Sequence, residues 1–320
     1  MPSRARARRI LLVGVATFAV SALVACGPST AAELERSDDA TISFDYAGFS
    51  AEIPADPERV LVIEGRADLE FSLTLGYPVV ASGFFFGRDG HLYDELDELM
   101  ADDLATFEFA DSNEPDYEAI AALDPDLIVM RLNAYNGDFY GADRLEQIAP
   151  VLALDTGATD WKGQMREQAA ILERSEQVEA EIARYDDLVE EIRARSGDRL
   201  DEMSLAWGTA LDDVGMYVFT NTHSTAVAED LGIDVPLSDP EDEENYFEIS
   251  AENFDIVSDV DTLALFAFDE SPALGESAAF QRLPASRSDR VFSVDLTLNN
   301  GLARAATALA VELEEMANAG

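Results

Sequence analysis

The chain has 320 residues, 48% of them hydrophobic, enough for about two domains with cores of their own. Its 65 acidic residues stand against 21 basic ones, a formal net charge of −44, which excludes nucleic acid as a partner because phosphate binding needs basic patches. A single cysteine excludes any intramolecular disulfide, and Lys162 as the only lysine fits either a surface kept hydrated in high salt or a genome rich in Arg codons.

Residues 1–25 read as an export signal and not as part of the fold. Arg4, Arg6, Arg8 and Arg9 form a basic start, and residues 10–20 form an apolar run too short for a comfortable membrane span. Leu23-Val24-Ala25-Cys26 resembles the lipobox of bacterial lipoproteins, which makes Cys26 the expected lipidated first residue of the mature chain and a lipid its membrane anchor. Arg8-Arg9 leaves Sec and twin-Arg export both open. Residues 26–40 read as a polar tether.

Residues 41–45 and 49–53 read as a hairpin turning at Gly48. An apolar strand over 59–63 leads to a helix through Leu69, Leu73 and Leu75 that stops at Gly76. A strand over 78–82 follows, then a loop with Phe84, Phe85, Phe86, Arg88 and His91, and a short helix over 92–100. Asp116 caps a helix that turns Ile120 and Leu123 to the core and ends at Pro125, with a strand over 127–130. A helix over 141–149, a strand over 151–154 and the segment 161–172 lead into the helix that organises the chain, residues 176–196. There Val178, Ile182, Tyr185, Val189 and Ile192 recur every three or four residues, the other faces are charged, and Glu191 precedes Arg195 in the favourable i,i+4 order. Gly197 reads as its stop. Beyond it come strands over 203–206 and 216–219, a helix over 224–231 ended by Gly232, a solvated acidic loop over 239–245, a helix and strand within 250–268, a strand over 291–294 and a closing helix over 302–316.

Strands alternating with helices imply a parallel-rich sheet in each half. The expected fold is therefore α/β, with an N-terminal lobe (41–156), a connecting segment (157–197) whose helix is a stiff strut, and a C-terminal lobe (198–320). No Pro or Gly interrupts 176–196, so the lobes are expected to rotate little about it. The halves also echo each other. Asp116-Tyr117-Glu118 and Ser250-Ala251-Glu252 each open a helix with a cap and then a Glu, and Asp126 or Asp261 then precedes an apolar strand. A first-turn Glu that favours the helix dipole explains either unit alone, but less well their recurrence.

At these residues the chain resembles the substrate-binding lipoproteins of bacterial ABC importers for iron–siderophores, haem and cobalamin. The carriers are IPADPERVLVIEGRADLEFSLTLG (53–76), EPDYEAIAALDPDLIV (114–129), SAENF (250–254) and RVFSVDLTLNNGLARAATALAVEL (290–313). The resemblance implies a class III periplasmic-binding-protein-like fold, two lobes on one rigid helix with the ligand between them. It implies a monomer that works with a permease dimer and its ATPase. It assigns Glu118 and Glu252 to Arg pockets on that permease, with Glu114 and Glu248 as competing candidates.

In open α/β sheets, ligands sit off the carboxyl ends of the strands. That rule selects Arg66, Phe84, Phe85, Arg88, Arg131 and Tyr135 in the N-terminal half, and Trp207, Asp269, Thr297, Asn299 and Asn300 in the other. Trp161 and Tyr217 are further candidates for aromatic walls. Three arginines at the cleft edge suggest a locally positive site, suited to a ferric siderophore with catecholate or carboxylate groups. For each arginine the alternative is an ion pair with a neighbouring acid. The protein is expected to grip the chelator, to give the iron no ligand, and to hold no resident metal or cofactor. His91 and His223 have no nucleophile spacing around them, and no CxxC, HExxH or Gly-rich phosphate loop is present, so no catalytic residue is expected. A chelatase-like enzyme and a sensor or adhesion lipoprotein are the rival classes; haem and cobalamin are the rival ligands.

Overall fold

The computed structural model describes residues 40–83, 93–101, 103–111, 114–157, 160–211, 215–239, 245–267 and 277–319. The expected signal segment, Cys26 and the tether up to residue 39 lie outside the described residues, as do Phe84 to Leu92 and Asp269.

Strands β1 (Thr41–Tyr46) and β2 (Phe49–Pro54) form the expected hairpin, with Ala47 and Gly48 both at positive φ in its two-residue turn. Then come β3 (Val60–Val62), α1 (Ala67–Thr74), β4 (Val79–Gly83), α2 (Asp94–Asp97), β5 (Ala105–Phe107), β6 (Phe109–Asp111), β7 (Glu114–Pro115), α3 (Tyr117–Ala122), β8 (Leu127–Arg131), α4 (Leu132–Asn136), α5 (Ala142–Leu145) and β9 (Val151–Leu154). The N-terminal sheet has the order β5-β4-β3-β8-β9 and is parallel throughout. After α6 (Trp161–Ile171) and α7 (Ser175–Asp201) follow β10 (Leu205–Leu211), β11 (Gly215–Phe219), α8 (His223–Asp230), β12 (Tyr246–Ser250), β13 (Thr262–Ala267), α9 (Pro284–Arg287), β14 (Val291–Asp295) and α10 (Ala303–Asn318). The C-terminal sheet, β12-β11-β10-β13-β14, is mixed: β10, β13 and β14 are parallel, and β11 runs against both its neighbours. The fold is two-lobed α/β with parallel-rich sheets.

Several elements differ from the sequence reading. Gly197 does not end the long helix, which continues to Asp201. The apolar stripe runs on through buried Ser196 and Leu200, and Arg195 and Ser196 both bond Glu314 of α10, so packing outweighs the roughly 1 kcal/mol helix penalty of a glycine. The helix expected over 141–149 is a single turn. Strand β12 was not anticipated. The segment after it, Ala251–Val257, is a 3-10 helix, and Ser250 does not cap it; its hydroxyl accepts from the Asn253 side chain at 3.1 Å.

The echo between halves is structural. Asp126, just ahead of β8, accepts from the Glu58 and Arg59 N–H groups at 2.6 and 2.9 Å and so clamps the chain entering β3. Asp261, just ahead of β13, accepts from the Ser204 N–H at 3.2 Å at the entry to β10. Each aspartate joins the first two central parallel strands of its own sheet.

Alternate residues of each sheet face opposite layers. Leu61, Ile63, Ile128 and Met130 pack with Ile120 of α3, while Val60, Val62, Leu127 and Val129 pack with α1 and the hairpin. The second layer is shared by both lobes: it continues through Val178, Ile182, Tyr185, Ile192 and Leu200 of α7 and the alanine-rich face of α10 to Trp207 and Phe266. Helix α7 is thus a spine embedded in a common core and not a bare strut.

Two buried polar contacts seal that layer. Glu70 of α1, fully buried, accepts from the Tyr93 hydroxyl (2.6 Å) and from the backbone N–H groups of Leu302 (2.7 Å), Arg304 (2.6 Å) and Ala305 (3.4 Å). A carboxylate of the N-terminal lobe therefore caps the C-terminal helix. Gly301 is required beside it, since a Cβ there would lie 2.0 Å from that of Ala305. On α8, the His223 ring meets Trp161 at 5.6 Å and its Nε2 bonds the Leu302 carbonyl at 2.9 Å.

Burial holds the His223 imidazole neutral, its pKa down at about 4 from 6.5. Below about pH 6.5 the unfolded chain protonates this ring and the folded chain does not, so the residue withdraws stability as pH falls from about 6.5 to about 4. Between pH 7.5 and pH 5, His223→Gln should gain about 2 kcal/mol in unfolding free energy relative to wild type, read by urea unfolding at each pH. A difference between the two proteins that is constant with pH would refute this.

Candidate functional site

The turn from β3 into α1 is built by two acids. Gly65 sits at φ +68, and a Cβ there would lie 2.0 Å from the Gly83 carbonyl at the end of β4. Asp68, fully buried, draws the turn shut by accepting from the N–H groups of Glu64 (2.9 Å), Arg66 (2.8 Å) and Leu69 (3.0 Å). This fixes Arg66 and Glu64 at the carboxyl edge of the N-terminal sheet. Arg131, the last residue of β8, donates to Glu64 through Nε and Nη2 at 2.5 and 2.7 Å, a bidentate fork. The Tyr140 hydroxyl donates to the same carboxylate at 3.0 Å, and Arg66 Nη1 lies 3.9 Å from it.

The electrostatics follow from this crowding. Burial and then the neighbouring Arg131 bring the Arg66 guanidinium down to about 10. For Arg131 burial works in the same direction, but the hydrogen bond and charge of Glu64 outweigh it and raise its pKa. Burial and the Glu64 charge push Asp68 up to about 6. Two arginines from separate strand ends are thus held side by side, oriented by one buried glutamate.

The other expected ligand contacts separate into three groups. Phe84, Phe85 and Arg88 lie outside the described residues. Trp161 and Trp207 are core residues and not cleft walls. Trp161 is 1% exposed and packs edge-on against Tyr185 of α7 at 5.3 Å; Trp207 is 0% exposed and stacks on Phe266 at 5.1 Å. Trp161 opens α6, and Trp207 lies inside β10 and not after a strand end; it turns to the layer shared with α7 and α10. Tyr135 is taken up by the hairpin, ring against Phe49 at 4.8 Å and hydroxyl donating to Glu146 at 2.9 Å. Tyr217 on β11 is partly exposed and meets the exposed Tyr246 of β12 at 5.0 Å. Asn300 ends the 3-10 turn Leu296–Asn300 that follows β14, and in the same turn the Asn299 side-chain oxygen is buried without a hydrogen-bond partner.

Sequence reasoning missed Glu64, Asp68 and Tyr140, the groups that hold the arginines. Glu64 and Tyr140 do follow β3 and β8, two and nine residues past the strand ends, which is the signal that could have found them. Among the described residues no cluster of His, Cys, Asp or Glu could hold a metal ion.

Glu118 and Glu252 occupy equivalent places. Helix α3 ends next to the start of β8, so its own start lies towards the carboxyl edge of the sheet; Asp116 caps it by accepting from the Glu118 and Ala119 N–H groups at 3.1 and 3.0 Å. Ser250 at the end of β12 pairs with Gly215, which pairs with Leu211, the carboxyl end of β10. Glu252 therefore also stands at a carboxyl edge. Both side chains are exposed. Glu252 borders a groove of about 670 Å³ that Phe254, Asp255, Arg282 and Leu283 help to line. The competitor Glu114 is engaged by Arg144 at 2.7 Å.

A family model described as periplasmic binding protein matches residues 86–296. In sequence the chain is similar to the probable siderophore-binding lipoprotein YfiY of Bacillus subtilis, 26% identical over 269 residues that span 82% of this chain and 79% of that protein. Solved structures share the fold. The siderophore periplasmic binding protein from the fuscachelin gene cluster of Thermobifida fusca has a TM-score of 0.60 at 24% identity, covering 84% of this chain and 99% of that one. Staphylococcus aureus SirA complexed with staphyloferrin B has a TM-score of 0.66 at 20% identity, covering 86% and 98%. Vibrio cholerae FhuD bound to Fe3+-Desferal has a TM-score of 0.64 at 21% identity, covering 81% and 97%.

Proposed function

The chain belongs to the periplasmic binding protein family, and from that premise we propose that it captures a ferric siderophore between its lobes and delivers it to an ABC importer. It does so on the extracytoplasmic face of the cell membrane, held there by a lipid on Cys26. The observation that carries the ligand reading is the pair Arg66 and Arg131, set at one strand edge by the buried Glu64. Guanidinium N–H groups at fixed positions donate to the oxygens of a chelator, and the iron needs no ligand from the protein. Similarity to YfiY, SirA and FhuD, each named for a siderophore or found with one, points the same way. Tyr217 and Asn299 would face the chelate from the C-terminal lobe.

Delivery rests on Glu118 and Glu252, one carboxylate per lobe, which engage arginine pockets on a permease dimer. The groove beside Glu252 would receive an apolar permease segment next to that ion pair. The chain works as a monomer with the permease and its ATPase, and itself makes or breaks no covalent bond.

Calorimetric titration with a panel of ferric siderophores, haemin and cobalamin tests the reading. At least one ferric siderophore should bind with a Kd of about 1 µM or tighter, and Arg131→Ala should weaken it by roughly ten-fold or more. Tight binding of haemin or cobalamin alone would replace the siderophore.

A further inference from the structure

We propose that the chelate this cleft takes is a neutral or cationic ferric trihydroxamate and not a polyanionic catecholate or carboxylate complex. The proposal rests on the siderophore reading above and narrows its substrate class, against the expectation that strand-end arginines make the cleft positive.

The arginines are already counter-charged. Arg66 and Arg131 share their cluster with Glu64, 1% exposed, and Asp68, 0% exposed. Glu64 is gripped by the Arg131 fork and Tyr140, and Asp68 by three backbone N–H groups, so neither can swing away to free a guanidinium for an incoming anion. Two cations and two carboxylates sum to no net charge. Arg88 lies outside the described residues and is followed in the sequence by Asp89.

The opposite wall has no uncompensated cation to offer, since its Arg282 shares a groove with Glu252 and Asp255. From Leu200 to Gln281 the sequence contains neither Lys nor Arg. That span holds β10 to β13 and all but two of the residues between β13 and α9; the two are Arg282 and Leu283. Its one histidine, His223, is buried and neutral. The arginines of this lobe lie outside that span. Arg282 lines the groove at Glu252, and Arg287 lies just ahead of the amino end of β14. Arg290 donates to the Thr262 hydroxyl, and Arg304 is buried against Glu98 and Glu181. Around this cleft the whole molecule carries a net charge of −44, which repels anions at low salt.

The charge of the chelate decides what fits. Three catecholates, each a dianion, leave ferric iron with a net charge of −3, whereas three hydroxamates, each a monoanion, leave none. A −3 complex would enter a strongly acidic protein in which the described strand-end arginines, Arg66 and Arg131, are already counter-charged. A neutral complex needs only hydrogen-bond donors. Arg131 keeps its Nη1 group for that purpose, since Glu64 takes Nε and Nη2.

The test is calorimetric titration of the whole protein with ferric desferrioxamine (cationic, linear), ferrichrome (neutral, cyclic), ferric enterobactin (triscatecholate) and ferric citrate, in low and high salt. A trihydroxamate should bind roughly 100-fold more tightly than the triscatecholate in low salt, with the gap narrowing as salt rises. A triscatecholate or citrate complex that binds as tightly as the trihydroxamates overturns the proposal. If no ferric chelate binds while haemin or cobalamin does, the siderophore reading itself falls. A second arm uses Glu64→Gln, which removes one counter-charge. In a variant that still unfolds cooperatively, affinity for ferric enterobactin should rise by about ten-fold and affinity for ferrichrome should change little. Equal changes for both chelates would mean that charge balance does not set the selection.

Discussion

Charge reversal at both docking carboxylates, Glu118→Arg with Glu252→Arg, is expected to abolish uptake of the ferric chelate while changing its affinity for the purified protein by no more than about two-fold. Both glutamates are exposed first-turn residues, so replacing them removes no buried contact. Neither belongs to the Arg66–Arg131 cluster. Their partners are arginines of the permease, and reversal turns two attractions into two like-charge repulsions, which cost several kcal/mol across an interface. Each lobe supplies one of the two points, so either single reversal should already cut transport strongly. Radiolabelled iron uptake in cells that carry only the variant reads the effect, with calorimetry on the purified protein beside it. Glu114→Arg is the control. Glu114 pairs with Arg144 on the protein's own surface, and its loss should leave most uptake intact. Full uptake by the double reversal would remove both assignments.

The second large effect concerns stability. Glu70→Ala should cost about 3–5 kcal/mol of unfolding free energy. The substitution strips a buried acceptor from the Tyr93 hydroxyl and from the N–H groups of Leu302 and Arg304 and leaves a cavity where α1, α2 and α10 meet. Burial raises the pKa of Glu70, though its four donors counteract this, so the carboxylate is held for its geometry and not as a titrating switch. Glu70→Gln should lose less, because one side-chain oxygen can still accept. Urea unfolding gives the comparison. A cost below about 1 kcal/mol for the alanine variant would mean that α10 is capped adequately without the N-terminal lobe.

What was legible in the sequence was whatever short-range pattern determines. The hairpin at Gly48, the Asp116 cap, the apolar stripe of α7 and the paired Asp126 and Asp261 all depend on neighbours in the chain or on a strand's own entry point. What was not legible depended on partners far away. Helix α7 passes Gly197 because α10 bonds its last turns through Glu314, a residue 119 positions beyond Arg195. Strand β12 emerges from an acidic run and pairs with β11 at the edge of its sheet. Trp161 opens α6 and Trp207 falls inside β10, which runs on to Leu211; whether a tryptophan lines a cleft or fills a core is decided by the layer it turns to. Glu64, Asp68 and Glu70 were the hardest to foresee. In a chain with 65 acids the default reading of an acid is a solvated surface, and these three are buried by arginines, backbone amides and a helix start that no local pattern reveals.

Those same buried groups bear on motion. Helix α7 alone resists bending, and the shared core of α7 and α10 with the Glu70 cap adds contacts that a wide hinge would have to break. The lobes should therefore stand at nearly the same spacing empty and loaded, with Glu118 and Glu252 as the ends of a fixed gauge. Small-angle X-ray scattering of the purified protein, apo and saturated with its ferric siderophore, measures this directly. Superimposable profiles with an unchanged radius of gyration are predicted; a clear contraction on loading would contradict the rigid two-lobed frame.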